Sequence, residues 1–326
     1  MKIVYMGTPE FAVPPLKQLL AHHDVLAVCT QPDRPAGRGY KLQMSPVKAL
    51  ALEAGVEVLQ PETLLIKKKP AANQQNAAAK EIRDYLAKLD ADIFIVAAYG
   101  LILPKAVLTM PRYGCVNIHA SLLPKYRGAA PIHAAIRDGE TVTGITIMQM
   151  DTGIDTGDII LKRQLGIAPD ERFPSLHDRM AELGGECILE ALAQIEAGTA
   201  TYSPQDDAGS SYAPMIQKTD GLIDWAWPTA RIINLTRAFD PWPGPYSVYK
   251  GVAIKIWRVE AADIGGAQDA LPGTILAADP SAGLLVRTGD GATWVRELQA
   301  PGSKRMPAKD YLRGRSIDTG ERFSGS

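Results

Sequence analysis

Short apolar runs alternate with amphipathic stretches along the N-terminal part of the chain. Residues 2–6 (KIVYM) read as a buried strand, Gly7-Thr8-Pro9 turns it, and Phe11 to Leu20 carries helical spacing. Residues 25–30 (VLAVCT) form a second apolar strand. Strand, helix and strand within about 30 residues is a βαβ unit, which implies a parallel sheet with a right-handed crossover. Residues 46–55 read as a helix and 56–59 as a third strand. The run 92–98 (DIFIVAA) is the clearest buried strand, 114–119 (GCVNIH) is another, and 143–150 and 158–167 complete the sheet. Over 175–197 the spacing of Leu176, Met180, Leu183, Cys187, Leu192 and Ile195 predicts one apolar helix face.

Two segments break the pattern. Residues 31–46 (QPDRPAGRGYKLQMSP) hold three prolines, two glycines and three basic residues, and read as a long loop after the second strand. Long loops in compact domains are commonly functional, and the carboxyl ends of parallel strands are where α/β proteins place ligands. Residues 203–213 (SPQDDAGSSYA) are polar and mark a boundary, giving domains over 1–206 and 207–326. Beyond it a helix is expected from Thr229 to Phe239. Short strands then follow at 246–249, 252–259, 273–277, 283–288 and 292–299, in the rhythm of a small barrel or sandwich. Residues 67–79 (KKKPAANQQNAAA) are a low-complexity surface stretch leading into a helix.

Composition narrows the class. The chain has 326 residues, 46% hydrophobic and 22% charged, an ordinary globular balance with room for two cores. Net charge is −1, so nothing global announces a polyanion partner, and any such contact must rest on a local patch. Cys29, Cys115 and Cys187 are odd in number and widely spaced, which is no disulfide framework. No Cys/His cluster has zinc-ligand spacing. No signal peptide is read, and no apolar run approaches the ~20 residues of a membrane span. The expectation is a reduced, cytoplasmic protein acting as a monomer. Gly7-Thr8-Pro9 is not a dinucleotide fingerprint and no Walker A motif occurs, so neither NAD nor ATP is expected.

Three polar side chains carry the candidate chemistry. Asn117 and His119 alternate on an apolar strand and so project from one face. Asp155 lies in the Gly-rich turn Asp151-Thr-Gly-Ile-Asp-Thr-Gly-Asp158. An amide and an imidazole can donate to a developing oxyanion, the imidazole can move a proton near neutral pH, and the carboxylate can orient it. On spacing alone each has a structural alternative. The histidine can be a hydrogen-bonded strand-end residue, the asparagine can brace a turn, and the aspartate can form one. His22, His23, His133 and His177 read as structural, and Trp225, Trp227 and Trp242 as packing residues.

The stretches 113–131 (YGCVNIHASLLPKYRGAAP) and 143–158 (TGITIMQMDTGIDTGD) resemble the signature of the folate-dependent formyltransferases. Met6–Phe11, Gln31–Gly39, Ala98–Pro104 and Ala238–Gly244 resemble the branch of that family that acts on methionyl-tRNA, so the likeness covers nearly the whole chain. The resemblance implies a Rossmann-like parallel or mixed sheet as the catalytic domain, then a small OB-like β-barrel. It makes Asn117, His119 and Asp155 the catalytic residues, and 10-formyltetrahydrofolate the co-substrate with no metal. It puts the pterin beside Tyr99, Gly100 and the loop Ser121, Leu122, Leu123 and Pro124. The acceptor it implies is the α-amine of methionyl initiator tRNA. Arg34, Arg38 and Lys41 of the 31–46 loop would reach the acceptor end, with Arg38 matching the family's key arginine. Lys304, Arg305, Lys309, Arg313 and Arg315 read as a flexible basic tail for phosphates.

The chain departs from that pattern at 64–79, which is longer than usual and carries Lys67-Lys68-Lys69, and at Ala120, where many relatives have glycine. The rivals are a formyltransferase of the same fold acting on a small-molecule amine, a hydrolase of the formyl folate, and a silent folate- or tRNA-binding module. The basic loop and the second domain argue against the first, and the intact Asn-His-Asp set argues against the last.

Overall fold

A computed structural model describes residues 1–36, 41–66, 73–263 and 269–324. Its chain forms two compact units. The first holds residues 1–128, 142–166 and 177–212, and the second holds 129–141, 167–176 and 213–326.

The first unit begins with β1 (Lys2–Gly7), a short 3-10 turn, α1 (Val13–His22) and β2 (Asp24–Cys29). A hairpin follows, of β3 (Arg34–Ala36) and β4 (Lys41–Gln43). Then come α2 (Pro46–Glu53), β5 (Glu57–Leu59), α3 (Asn73–Lys88), β6 (Ile93–Ala97), α4 (Lys105–Leu108), β7 (Cys115–His119) and β8 (Arg127–Gly128). After α5 (Pro131–Arg137) the chain returns in β9 (Val142–Gln149) and β10 (Ile159–Gly166), and α6 (Phe173–Glu196) leads to β11 (Tyr212–Ala213). One seven-stranded sheet has the order β10-β9-β7-β6-β1-β2-β5. Neighbours from β5 to β7 run parallel, and β9 is antiparallel to both β7 and β10. Every residue of β6 and β7 is buried, as expected of strands covered on both faces; β6 is a continuous apolar run, and β7 is apolar except for Asn117 and His119. The expected Rossmann-like mixed sheet is therefore present.

The order contains its own pointer to function. From β1 the chain builds outward through β2 to β5, then crosses to the other side of β1 to place β6. That reversal is a topological switch point, and open α/β sheets bind ligands outside the carboxyl ends of the strands that flank it, here β1 and β6. Gly7 ends β1 at this point. A Cβ there would stand 2.8 Å from Ala12 Cβ and 3.0 Å from Ala97 O, so no larger residue fits.

The second unit is built on α7 (Thr229–Ala238), β12 (Tyr246–Tyr249), β13 (Val252–Ala262), β14 (Ile275–Asp279), β15 (Gly283–Arg287), β16 (Ala292–Gln299), β17 (Met306–Pro307) and α8 (Ala308–Gly314). Its antiparallel sheet runs β12-β13-β16-β15-β14, with β17 on β16, and curls into a small OB-like half-barrel. Asp240, after α7, accepts from Arg172 Nη1 and Arg305 Nη1 at 2.8 and 2.9 Å. Arg172 Nη1 also reaches the Trp257 carbonyl on β13.

Two sequence expectations change here. The 31–46 segment is no open loop: it pairs as the β3–β4 hairpin, with Arg34 opposite Gln43. A proline inside β3 and a lack of alternation hide an edge hairpin from periodicity. The basic C-terminal stretch is not a free tail either. Arg305 is ion-paired to Asp240 and Glu297 and lies over the Trp257 ring, while Lys309 and Arg313 ride on α8.

Candidate active site

β7 delivers the site. Asn117 pairs with Met148 and His119 with Thr146 across β9, which sets both side chains on one face. Both are buried, at 9% and 5% exposed, and so are polar groups held where apolar ones would be expected. Asp155 comes from the turn after β9 and meets both. Asn117 Nδ2 donates to its Oδ1 at 3.4 Å, and His119 Nδ1 stands 3.6 Å from its Oδ2. The three residues singled out in the sequence converge on one point.

The rest of the shell fixes their orientation. The Gly128 amide donates to Asp155 Oδ2 at 2.8 Å, which makes this carboxylate oxygen the anchored one. The Tyr126 carbonyl lies 2.9 Å from His119 Nε2. A carbonyl only accepts, so Nε2 is the donor there, and a carboxylate faces Nδ1. The Asn117 and Nδ1 contacts to Asp155 are long for hydrogen bonds, the loose geometry usual before substrate tightens an active site.

The loop after β7 is locked from beneath. Ser121 Oγ donates to the Lys125 carbonyl at 2.6 Å. Thr146 Oγ1 donates to the Ser121 carbonyl at 2.6 Å and accepts from Leu123 N at 3.1 Å. Ser121 and Leu123 are fully buried, so the loop offers a ligand its backbone together with Leu122 and Pro124. Tyr99 also turns inward. It belongs to the buried cluster that holds Met6, Cys29 and Phe94, and burial pushes its hydroxyl pKa up. Its backbone carbonyl is held by side chains. Thr8 Oγ1 and Gln31 Nε2 both donate to the Tyr99 carbonyl, at 3.0 and 3.1 Å. Gly100 has φ +78°, a conformation that favours glycine, and a Cβ there would stand 2.2 Å from Gln31 Nε2 and displace that side chain.

On the hairpin, Arg34 is exposed and Lys41 is on β4 opposite Ala36. Arg38 and Lys67–Lys69 lie outside the described residues. The hairpin's base is tied down by Lys48 Nζ, which donates to Asp33 Oδ2 at 2.6 Å and to Gln60 Oε1 at 2.8 Å. Leu42, in β4 opposite Pro35, is 72% exposed. Trp242, read as a packing residue, is half exposed, whereas Trp225 is buried and donates to Ser247.

The model of the family described as Formyl transferase matches residues 1–192, and that of the Formyl transferase C-terminal domain matches 215–316. This chain belongs to the formyltransferase family. The methionyl-tRNA formyltransferase of Ruminiclostridium cellulolyticum is 48% identical to it over 324 residues, 99% of each chain. The methionyl-tRNA formyltransferase of Caldanaerobacter subterraneus is also 48% identical, over 98% of this formyltransferase and 99% of that protein. Among solved structures, an N-formyltransferase from Helicobacter canadensis, in complex with folinic acid and dTDP-3-aminofucose, superposes with a TM-score of 0.62. It is 20% identical over 92% of this formyltransferase and 98% of that chain. HypX from Aquifex aeolicus gives a TM-score of 0.61 at 20% identity over 98% of this chain, which spans about half of it, 49%. These two likenesses bear on the fold alone.

Sequence reading missed two residues of the site. Gln205 Nε2 donates to the Asp155 and Gly157 carbonyls, and Arg127 donates to Gln205 Oε1. Gln205 lies in the polar stretch read as a boundary, and nothing in its neighbours signals a contact 50 residues away.

Proposed function

We propose that this formyltransferase moves the formyl group of 10-formyltetrahydrofolate to the α-amino group of methionyl initiator tRNA, supplying the formylated initiator for protein synthesis. The convergence of Asn117, His119 and Asp155 at the carboxyl end of β7 carries the reading, with near-full-length similarity to methionyl-tRNA formyltransferases beside it. The amine attacks the formyl carbon and a tetrahedral oxyanion forms. The Asn117 amide donates to it through its second N–H, and the His119 imidazole through Nδ1–H, whose 3.6 Å contact with Asp155 is too long to hold that proton. Asp155 orients the ring and relays the proton that the amine loses, while the leaving folate nitrogen takes a proton. Donors already aimed at developing charge contribute about 10²–10³ in rate each.

The folate sits along the crevice formed by the Tyr99–Gly100 backbone and the Ser121–Pro124 loop. The hairpin, through Arg34, Arg38 and Lys41, engages the acceptor end of the tRNA. We take residues 1–206 as the catalytic domain and 207–326 as the tRNA-binding domain, in a cytoplasmic monomer.

The test is transfer of labelled formyl from 10-formyltetrahydrofolate, offered methionyl initiator tRNA, methionyl elongator tRNA, free methionine and a small amino-sugar nucleotide in parallel. Label on the initiator tRNA alone is expected. Label on the sugar, or release of free formate, would contradict the acceptor.

A further inference from the structure

We infer that Gln205 is a positioning residue for formyl transfer, acting with Arg127 as one unit that holds Asp155 and His119 in register. The inference rests on the roles proposed for Asn117, His119 and Asp155. Every other residue of 201–212 is exposed, and Gln205 alone turns inward. Its Nε2 donates to the Asp155 carbonyl at 2.9 Å and to the Gly157 carbonyl at 2.8 Å. Its Oε1 accepts from Arg127 Nε at 3.1 Å and Nη2 at 2.9 Å. Two carbonyls at one end and a guanidinium at the other leave one possible amide orientation, because the flipped amide would lose all of these bonds.

What the clamp grips gives it a function beyond holding a loop. Arg127 is flanked by the two backbone groups that orient the site. Tyr126 supplies the carbonyl that receives His119 Nε2, and Gly128 supplies the amide that anchors Asp155 Oδ2. Fixing the Arg127 side chain therefore fixes the segment that aims both catalytic groups. Asp155 and Tyr126 also hold left-handed backbone conformations, φ +53° and +61°, which persist only where surrounding contacts over-determine them. The amide of Gln205 meets the first of these directly and the second through Arg127. The further Arg127–Asp207 pair is to a carboxylate 84% exposed and adds little.

A residue that only stabilised the fold would alter melting temperature and leave turnover alone. A positioning residue lowers kcat while substrate affinity holds. The experiment measures kcat, KM for both substrates and Tm in the full chain, with 10-formyltetrahydrofolate and methionyl initiator tRNA. Gln205→Met keeps length and removes every bond. Gln205→Glu keeps size and the Arg127 contact but sets an acceptor against two carbonyls, and it gives the answer should Gln205→Met fail to fold. Both are expected to lose about 10- to 100-fold in kcat, with KM within about threefold of wild type, since small misplacements cost that much. Arg127→Met is expected to fall in the same range, and the Gln205→Met/Arg127→Met pair to be within about threefold of the slower single variant. Unchanged kcat in both Gln205 variants, a loss confined to KM or Tm, or losses that multiply in the pair would overturn the inference. His119→Ala runs alongside. Full turnover there would remove the catalytic assignment itself, whereas a crippled His119→Ala beside fully active Gln205 variants would remove this inference alone.

Discussion

Asp155 pays a backbone cost to be where it is. Its φ of +53° is tolerated by aspartate more readily than by bulky side chains, and it brings one carboxylate to both Asn117 and His119. The asparagine and histidine were legible in sequence because polar residues at alternate positions of a buried strand are costly unless used. The convergence with Asp155 was not, since it depends on a tertiary turn 36 residues beyond His119. The cysteines show the opposite behaviour: all three are buried, and burial raises Cys29 and Cys115 to about 12 and Cys187 to about 11. An unfolded thiol titrates near about 8.5. The folded chain thus keeps protons that the unfolded chain releases. The resulting stability is complete below about pH 8.5 and is lost as pH rises toward the folded values. Alkylation by iodoacetamide at pH 8 is expected to be far slower in native protein than in urea, and Tm to decline steadily above pH 9. Equal alkylation rates in the two states would show that these thiols are not enclosed.

At the scale of elements, strands were easier to read than connections. β6 announced itself as an unbroken apolar run and β7 as an apolar run broken only by Asn117 and His119, while the β3–β4 hairpin, with Pro35 in an edge strand, gave no alternation to detect. The start of α6 at Phe173, two residues earlier than periodicity placed it, reflects packing: Phe173 stacks on His133 with ring centroids 3.8 Å apart. Within the second unit Asp240 is the joint between α7, β13 and the segment before β17. Its carboxylate is 11% exposed and takes two guanidiniums. Asp240→Ala would strand both. A fully buried pair broken this way costs about 3–5 kcal/mol. Arg305 is more than a third exposed, so the expected loss is smaller, about 2–3 kcal/mol, read as a fall in denaturation midpoint with the slope unchanged. A change under about 0.5 kcal/mol would mean that water replaces the carboxylate at both arginines.

For the molecule as a whole, a net charge of −1 supplies no long-range attraction for a polyanion, so binding of one requires a local basic patch. No helix among the described residues is long and apolar enough to cross a membrane. The doubly wound sheet and the half-barrel were both foreseeable from strand spacing, whereas the clamp of Arg127 and Gln205, 78 residues apart, was not. The central claim is that Asn117 and His119 stabilise the transition state for formyl transfer to methionyl initiator tRNA. The most direct test is single-turnover transfer at saturating 10-formyltetrahydrofolate and tRNA by wild type, Asn117→Ala and His119→Ala, with tRNA affinity measured on the same preparations. Each variant is expected to be about 10²–10³-fold slower in the chemical step with tRNA affinity within about threefold of wild type. Rates near wild type, or a loss that appears as weakened tRNA binding, would contradict it.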